Sequence, residues 1–189
     1  MKVLFIDACI SVHNPSRTRY LCDFYLDQMK KEGHEVLHLD LASSGVERLS
    51  TETLAKRDSL LAAGDFDDSM FDMAKQFRDA ERIVIGAPFW DLSFPAILKD
   101  YIENIMVTGI TFSYNDHGMP VGMCSADKLV YIMTAGGPVM NFNFGYDYVK
   151  SIATLMLGVK EAELVCAENL DVLGSDVDAI LAETCAKMF

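Results

Sequence analysis

Arg82-Ile83-Val84-Ile85-Gly86-Ala87-Pro88 is the run on which the fold turns. Its apolar centre shows no polar alternation, so it reads as a strand buried on both faces, the kind found in parallel sheets covered by helices. On its N-terminal side, residues 50–80 carry a helical pattern broken near Gly64-Asp65, and residues 35–39 form a shorter strand. Before that strand, Gly33 ends a helix over 16–32 whose Leu21, Phe24, Tyr25 and Met29 fall along one stripe. Val3-Leu4-Phe5-Ile6 is the first strand. On the C-terminal side come a helix over 95–106, opened by Pro95, and the strand Lys128-Leu129-Val130-Tyr131-Ile132-Met133-Thr134. A helix over 146–157, a strand over 162–167 and a terminal helix from Asp176 complete the alternation. Five strands separated by helices predict an α/β fold with a doubly wound parallel sheet, right-handed crossovers and helices on both faces. No repeat, low-complexity tract or linker divides the chain, so one domain is expected over 1–189.

One segment breaks this rhythm. Thr111-Phe112-Ser113-Tyr114, Asn115-Asp116-His117-Gly118 and Met119-Pro120-Val121 read as two short strands around a glycine-containing turn, a hairpin inserted between helix and strand. An isolated ribbon is marginal in water. It needs a surface, either its own sheet edge or a two-fold partner.

Of the 189 residues, 51% are hydrophobic and 23% charged, within the ordinary range for a globular protein. The net charge of −12 and the lack of any basic run longer than two residues speak against nucleic acid as a partner. No apolar stretch approaches the ~18 residues of a membrane span. The N-terminal apolar run meets Asp7 too soon to form a signal-peptide core, which predicts a cytoplasmic protein. Cys9, Cys22, Cys124, Cys166 and Cys185 are odd in number and widely spaced, as expected of reduced thiols that pack as small hydrophobes.

In a doubly wound sheet, ligands bind beyond the carboxyl ends of the strands, where the strand order reverses. Three loops therefore matter. Asn14-Pro15-Ser16-Arg17-Thr18 offers two hydroxyls, a cation and free N–H groups at a helix N-terminus, which suits a phosphate monoester. The same residues also read as a plain cap at Ser16 with Arg17 in solvent. There is no G-x-G-x-x-G and no G-x-x-x-x-G-K-[ST], so neither a dinucleotide fingerprint nor a P-loop is supported. Arg19, two residues on, is expected to face solvent. Ala87-Pro88-Phe89-Trp90-Asp91-Leu92-Ser93-Phe94-Pro95 places the single Trp and two Phe on a strand-to-helix loop, fit to hold a flat ring or simply to pack on its own protein. Thr134-Ala135-Gly136-Gly137-Pro138 lets the backbone approach a neighbour closely, or merely turns. Asn141-Phe142-Asn143-Phe144 either roofs such a pocket or starts the next helix.

His34-Glu35-Val36-Leu37-His38 spells the H-E-x-x-H zinc motif, which needs a helix to bring both imidazoles to one face. Here it follows Gly33 and enters a strand, where residues four apart lie roughly 13 Å apart. No metal site is expected. His13 and His117 fall in loops.

Taken in order, Ser16-Arg17-Thr18, Gly86 to Pro95, Leu98-Lys99-Asp100-Tyr101-Ile102, Gly109-Ile110-Thr111-Phe112-Ser113-Tyr114 and Thr134-Ala135-Gly136-Gly137 resemble the FMN-dependent NAD(P)H:quinone oxidoreductase and azoreductase family of the flavodoxin-like fold. The resemblance implies a sheet of order 2-1-3-4-5 and FMN with its phosphate at Ser16, Arg17 and Thr18. It implies an isoalloxazine edge against Pro88, Phe89, Trp90, Asp91 and Leu92 and against Thr134, Ala135, Gly136 and Gly137. It also implies a homodimer in which Phe112, Tyr114 and Phe142 help wall the substrate pocket. The activity implied is reduction of quinone-, azo- or nitro-type small acceptors by NAD(P)H through the flavin, with no side-chain nucleophile. An electron carrier serving a protein partner is the rival reading. The chain departs from the family's habit at Asp91, often Asn, and at Ala8, often Ser.

Overall fold

The computed structural model describes residues 1–10 and 16–189. Asn14, Pro15 and His13 lie outside the described residues. In chain order the elements are β1 (Lys2–Asp7), α1 (Arg17–Lys31), β2 (Glu35–Asp40), α2 (Thr51–Ala63), a 3₁₀ turn (Ser69–Phe71) leading into α3 (Asp72–Asp79), and β3 (Arg82–Gly86). Then come α4 (Ala96–Ile105), β4 (Phe112–Tyr114), β5 (Pro120–Gly122), β6 (Lys128–Thr134), α5 (Phe144–Ser151) continuing into a π-helical turn (Ile152–Met156), β7 (Glu161–Ala167) and α6 (Val177–Ala186).

Five strands pair in the order β2-β1-β3-β6-β7, all parallel, while β4 and β5 pair antiparallel as a separate ribbon. With the ribbon set aside, this is the flavodoxin-like order 2-1-3-4-5. The central strand β3 shows why the sequence reads as it does. Ile83 and Ile85 join one buried cluster with Leu4, Ile6, Leu129 and Tyr131, beneath α3, α4 and α5. Val84 joins the other, with Val3, Phe5, Val130 and Ile132, beneath α1 and α6. Each fully buried aliphatic of this kind contributes about 1.5–3 kcal/mol relative to exposure, so a polar residue at any of them would be costly. At Gly86, the last residue of β3, a Cβ would overlap the Cys22 sulfur, so the missing side chain lets α1 pack closely there.

Helix α1 corrects one expectation. Thr18, Leu21, Cys22, Tyr25, Leu26 and Met29 are buried, whereas Phe24 is exposed. At about 100° per residue, Phe24 sits roughly 130° from the middle of that stripe, so it falls on the solvent side. Gly33 follows the helix with a φ of 82°, the left-handed conformation expected just past a C-terminus. Gly64, at φ 69°, ends α2 in the same way.

The ribbon is seated on its own chain at its base. β5 reaches the end of the π-helical turn, where the Cys124 N–H donates to the Leu157 carbonyl at 3.2 Å, and the Met123 N–H donates to Thr111 O at 2.9 Å. Phe112 is buried there, edge-on to Tyr114, with ring centres 5.4 Å apart. Tyr114, Met119, Val121 and Met123 remain exposed. No helix among the described residues is long and apolar enough to cross a membrane.

Candidate functional site

The register of the sheet brings the three marked loops to one end. Asp7 of β1 lies beside Gly86 of β3, and Gly86 beside Ile132 of β6. The strand order reverses at β1 and β3, so the loop after β3 sits over the crevice that this topology leaves open.

At the first loop, Ser16 is the N-cap of α1. Its Oγ accepts a long hydrogen bond from the Arg19 N–H at 3.4 Å, and its carbonyl accepts from the Tyr20 N–H at 2.9 Å. The N–H groups of Arg17 and Thr18 belong to the first helical turn, where no intrahelical acceptor exists. No acidic side chain stands in that turn to satisfy the helix dipole, which leaves the helix N-terminus electropositive. The Arg17 guanidinium is exposed and paired with Asp171 at 2.6 Å, a contact the sequence does not advertise. Thr18 is buried, and its hydroxyl shares a 2.6 Å hydrogen bond with the hydroxyl of Thr134. Of the two hydroxyls expected to face an anion, Ser16 is therefore the available one, while Thr18 ties α1 to the end of β6.

At the second loop, the Phe89 N–H donates to Thr134 O at 3.0 Å, which fixes the start of the loop to the same β6 end. Trp90 and Ser93 exchange two backbone hydrogen bonds, 3.1 and 2.7 Å, around Asp91 and Leu92. Those two residues have φ of 51° and 66°, a tight turn with both central residues left-handed. Asp91 tolerates this conformation, but Leu92 does not favour it, so the turn stores strain of about 1 kcal/mol or more at Leu92, and strain of this kind concentrates at functional sites. Trp90, Asp91 and Leu92 are exposed, while Pro88 and Phe89 are half-buried beneath them. Helix α5 braces the turn from outside. The Phe144 N–H donates to Leu92 O at 3.1 Å, and Gly145 sits so close to Ser93 that a Cβ would press on its backbone. Asn143 caps α5 by accepting from the Tyr146 N–H at 3.1 Å, and Phe142 is carried exposed beside the turn. The segment 141–144 thus both starts the helix and flanks the crevice.

At the third loop, Thr134 and Ala135 are buried, Gly136 is half-buried and Gly137 is open. Sequence reasoning missed the residues that brace this loop, all in the stretch after β7. The Asp171 N–H donates to Gly136 O at 2.8 Å, the Asn169 N–H donates to Gly137 O at 3.2 Å, and Glu168 accepts from the Val139 N–H at 2.7 Å.

Beside the first loop lies a charged cluster that corrects a second expectation. Arg19 does not simply face solvent: its Nη1 pairs with the buried Asp7 and its Nε with Asp23 at 2.9 Å. His38 Nε2 lies 3.2 Å from the same Asp7 carboxylate, its ring stacked on Phe5. His38 is on β2 and His34 precedes that strand against Glu32, so the H-E-x-x-H run is extended rather than helical. Among the described residues, no group of three or more His, Cys, Asp or Glu side chains is placed to hold a metal. All five cysteines are free. Burial pushes the Cys124 thiol up to about 12 and the Cys166 thiol up to about 11, so both stay neutral and act by packing.

The donor set suits one phosphate at the α1 N-terminus and a flat, partly apolar ring along Trp90 and Leu92. Phe112 is buried in its own chain, so of the two hairpin rings Tyr114 is the one free to wall a pocket. The sequence profile of the flavodoxin-like fold matches residues 1–188. The chain belongs to this flavodoxin-like family. It is 38% identical over 193 residues to the FMN-dependent NADH:quinone oxidoreductase 2 of Clostridium acetobutylicum, covering 98% of this chain and 95% of that protein. Among solved structures, this flavodoxin-like chain superposes on an azoreductase from Bacillus anthracis str. Sterne with a TM-score of 0.83 at 24% identity, over 98% and 95% of the two chains. An FMN-dependent NADH-azoreductase from B. anthracis str. Ames Ancestor, solved in complex with FMN, gives a TM-score of 0.81 at 22% identity over 98% and 96%. These two likenesses establish the shared fold.

Proposed function

We propose that this chain is an FMN-dependent oxidoreductase that oxidises NADH and reduces small quinone- or azo-type acceptors. The observation that carries the reading is the joining of the three loops at one sheet end. Thr18 bonds to Thr134, Phe89 bonds to Thr134, and the strained turn at Asp91 and Leu92, just after Phe89, leaves Trp90 and Leu92 exposed. FMN, when bound, would supply the redox chemistry between nicotinamide and acceptor. The protein's part is to bind and orient. Ser16, Arg17 and the amides of Arg17 and Thr18 hold the phosphate, with Thr18 itself acting through Thr134. Pro88, Phe89, Trp90, Asp91 and Leu92, together with Thr134, Ala135, Gly136 and Gly137, would hold the ring. Asp91, as a carboxylate, can only accept hydrogen bonds, so any donation from this position comes from its backbone N–H.

The test is optical. The purified protein is expected to carry, or to take up, FMN in preference to FAD, because one helix N-terminus offers room for one phosphate and there is no pyrophosphate fingerprint. Anaerobic NADH should bleach the bound flavin, and a soluble benzoquinone should restore its colour. A colourless protein that does not quench FMN fluorescence at micromolar concentration would sink the reading. NADPH run in parallel settles which nicotinamide is preferred.

A cytoplasmic homodimer belongs to the same proposal. The ribbon exposes Met119, Val121 and Met123 on one face and Tyr114 on the other, apolar surface that a two-fold partner would cover, with Tyr114 and Phe142 near the substrate. Light scattering should give twice the 21.0 kDa chain mass. Tyr114→Ser combined with Met119→Ser should shift that value toward the monomer and slow acceptor reduction, while FMN stays bound. A monomeric wild type with full activity would refute the dimer. A carrier serving a protein partner is less well supported, since such a carrier has no use for a ribbon walling its flavin.

A further inference from the structure

Asp171 stands in none of the three loops that the sequence marks, yet it touches two of them. Its backbone N–H donates to Gly136 O at 2.8 Å. Its side chain lies so close to Gly136 that a Cβ there would overlap Oδ2. Its other carboxylate oxygen, Oδ1, accepts from Arg17 Nη1 at 2.6 Å. With glycine at 136 the carboxylate can keep this position; a Cβ there would push it aside. A Cβ on Gly137 would meet nothing within 4 Å.

The pair is well exposed, 42% at Arg17 and 68% at Asp171, so it adds little to folding stability. Its effect is on geometry. An arginine on a flexible stem at the first position of a helix has many rotamers, and ordering it costs binding energy unless something orders it beforehand. Asp171 takes one nitrogen of the guanidinium, and among the described residues no other side chain takes the remaining donors of the fork. Being fixed by its own backbone to the glycine turn, it ties the cation to the rest of the site.

We propose that Asp171 is a positioning residue for the phosphate end of the site, holding the Arg17 guanidinium ready for a phosphate monoester. The inference rests on the flavin reading above. Like-charge repulsion between Asp171 and the phosphate works against it. Water and salt screen that term at so exposed a carboxylate, and the Arg17 charge lies between the two anions.

The experiment compares FMN with riboflavin, which lacks the phosphate, by fluorescence titration of the full chain. Asp171→Ala should raise the FMN Kd about three- to fivefold, the scale of an exposed ion pair, and leave the riboflavin Kd unchanged. In an Arg17→Ala background the same substitution should add nothing, because its target is gone. Asp171→Asn, which keeps the shape and an acceptor oxygen, should move FMN binding in the same direction with an unchanged unfolding midpoint. Equal losses for both flavins would mean loop packing alone. Tighter FMN binding would mean that repulsion dominates, and a loss that persists without Arg17 would mean a different route. Each of these overturns the proposal. A wild type that binds neither flavin removes the functional reading and this inference together, whereas FMN binding indifferent to Asp171 removes only the inference.

Discussion

Gly122→Ala is expected to lower stability by about 3 kcal/mol, at the upper end of what overpacking costs, and to unseat the hairpin. A Cβ at Gly122 would overlap the Gly158 nitrogen and the Leu157 carbonyl carbon, both of them backbone. Side chains can rotate away from an added methyl, but backbone cannot. Either β5 must lift or the π-helical turn before Leu157 must shift. Lifting β5 breaks the hydrogen bond from the Cys124 N–H to Leu157 O and uncovers the buried Phe112. Gly118→Ala at the ribbon tip is the control. Gly118, unlike Gly122, has a positive φ, 72°, but a Cβ there meets nothing within 4 Å, so only the left-handed backbone penalty of about 1–2 kcal/mol applies. Urea unfolding of the two variants measures the difference. Equal losses would show that the ribbon is not seated as described, and the exposed surface proposed for the dimer would lose its support.

The parts of the molecule legible in the sequence are those governed by local pattern. Continuous apolar strands signal burial on both faces, and Ile83, Val84 and Ile85 do divide between two clusters on opposite sides of the sheet. The hairpin is legible for the same reason, since short strands flank a turn closed by Gly118. Phe24 shows the limit of such patterns, because an apolar residue near a helical stripe in sequence can still point to the solvent side. The tight turn at Asp91 and Leu92 was hidden. Asp tolerates left-handed backbone but Leu does not favour it, and the conformation is imposed by the paired bonds of Trp90 and Ser93 and by α5 behind them. Asp171 and Glu168 were hidden for another reason. They are polar residues in a polar loop, and their partners, Arg17 and the Val139 N–H, lie 154 and 29 residues away. Contacts of that kind follow from the strand order, which places the loop after β7 beside the loop after β6.

Arg17 and Arg19, two residues apart, should respond oppositely to truncation. Arg19→Ala is expected to cost about 2–3 kcal/mol of stability, because removing one partner of a buried ion pair strands the other charge. The stranded group is Asp7, only 4% exposed, at the end of β1. The full cost of such a loss is about 3–5 kcal/mol. The expectation is lower here because Arg19 is itself 35% exposed and because His38 Nε2 and the Cys9 N–H, at 3.2 and 3.0 Å, still reach the carboxylate. Arg17→Ala, by contrast, removes only an exposed pair and should change stability by about 0.5 kcal/mol or less. Its effect should fall on the ligand. A charge-assisted contact to phosphate is worth about 1.5–3 kcal/mol, so FMN affinity should drop at least about tenfold, with riboflavin affinity unmoved. Urea unfolding and flavin titration of both variants, under one set of conditions, check the crossing pattern. Two equal, small effects on FMN would return Ser16 to the role of a plain cap and Arg17 to that of a surface cation. The contrast follows from α1 itself. A helix turns about 100° per residue, so two positions apart the side chains point about 200° away from each other. One faces the end of β1 and Asp7; the other faces the crevice mouth and Asp171.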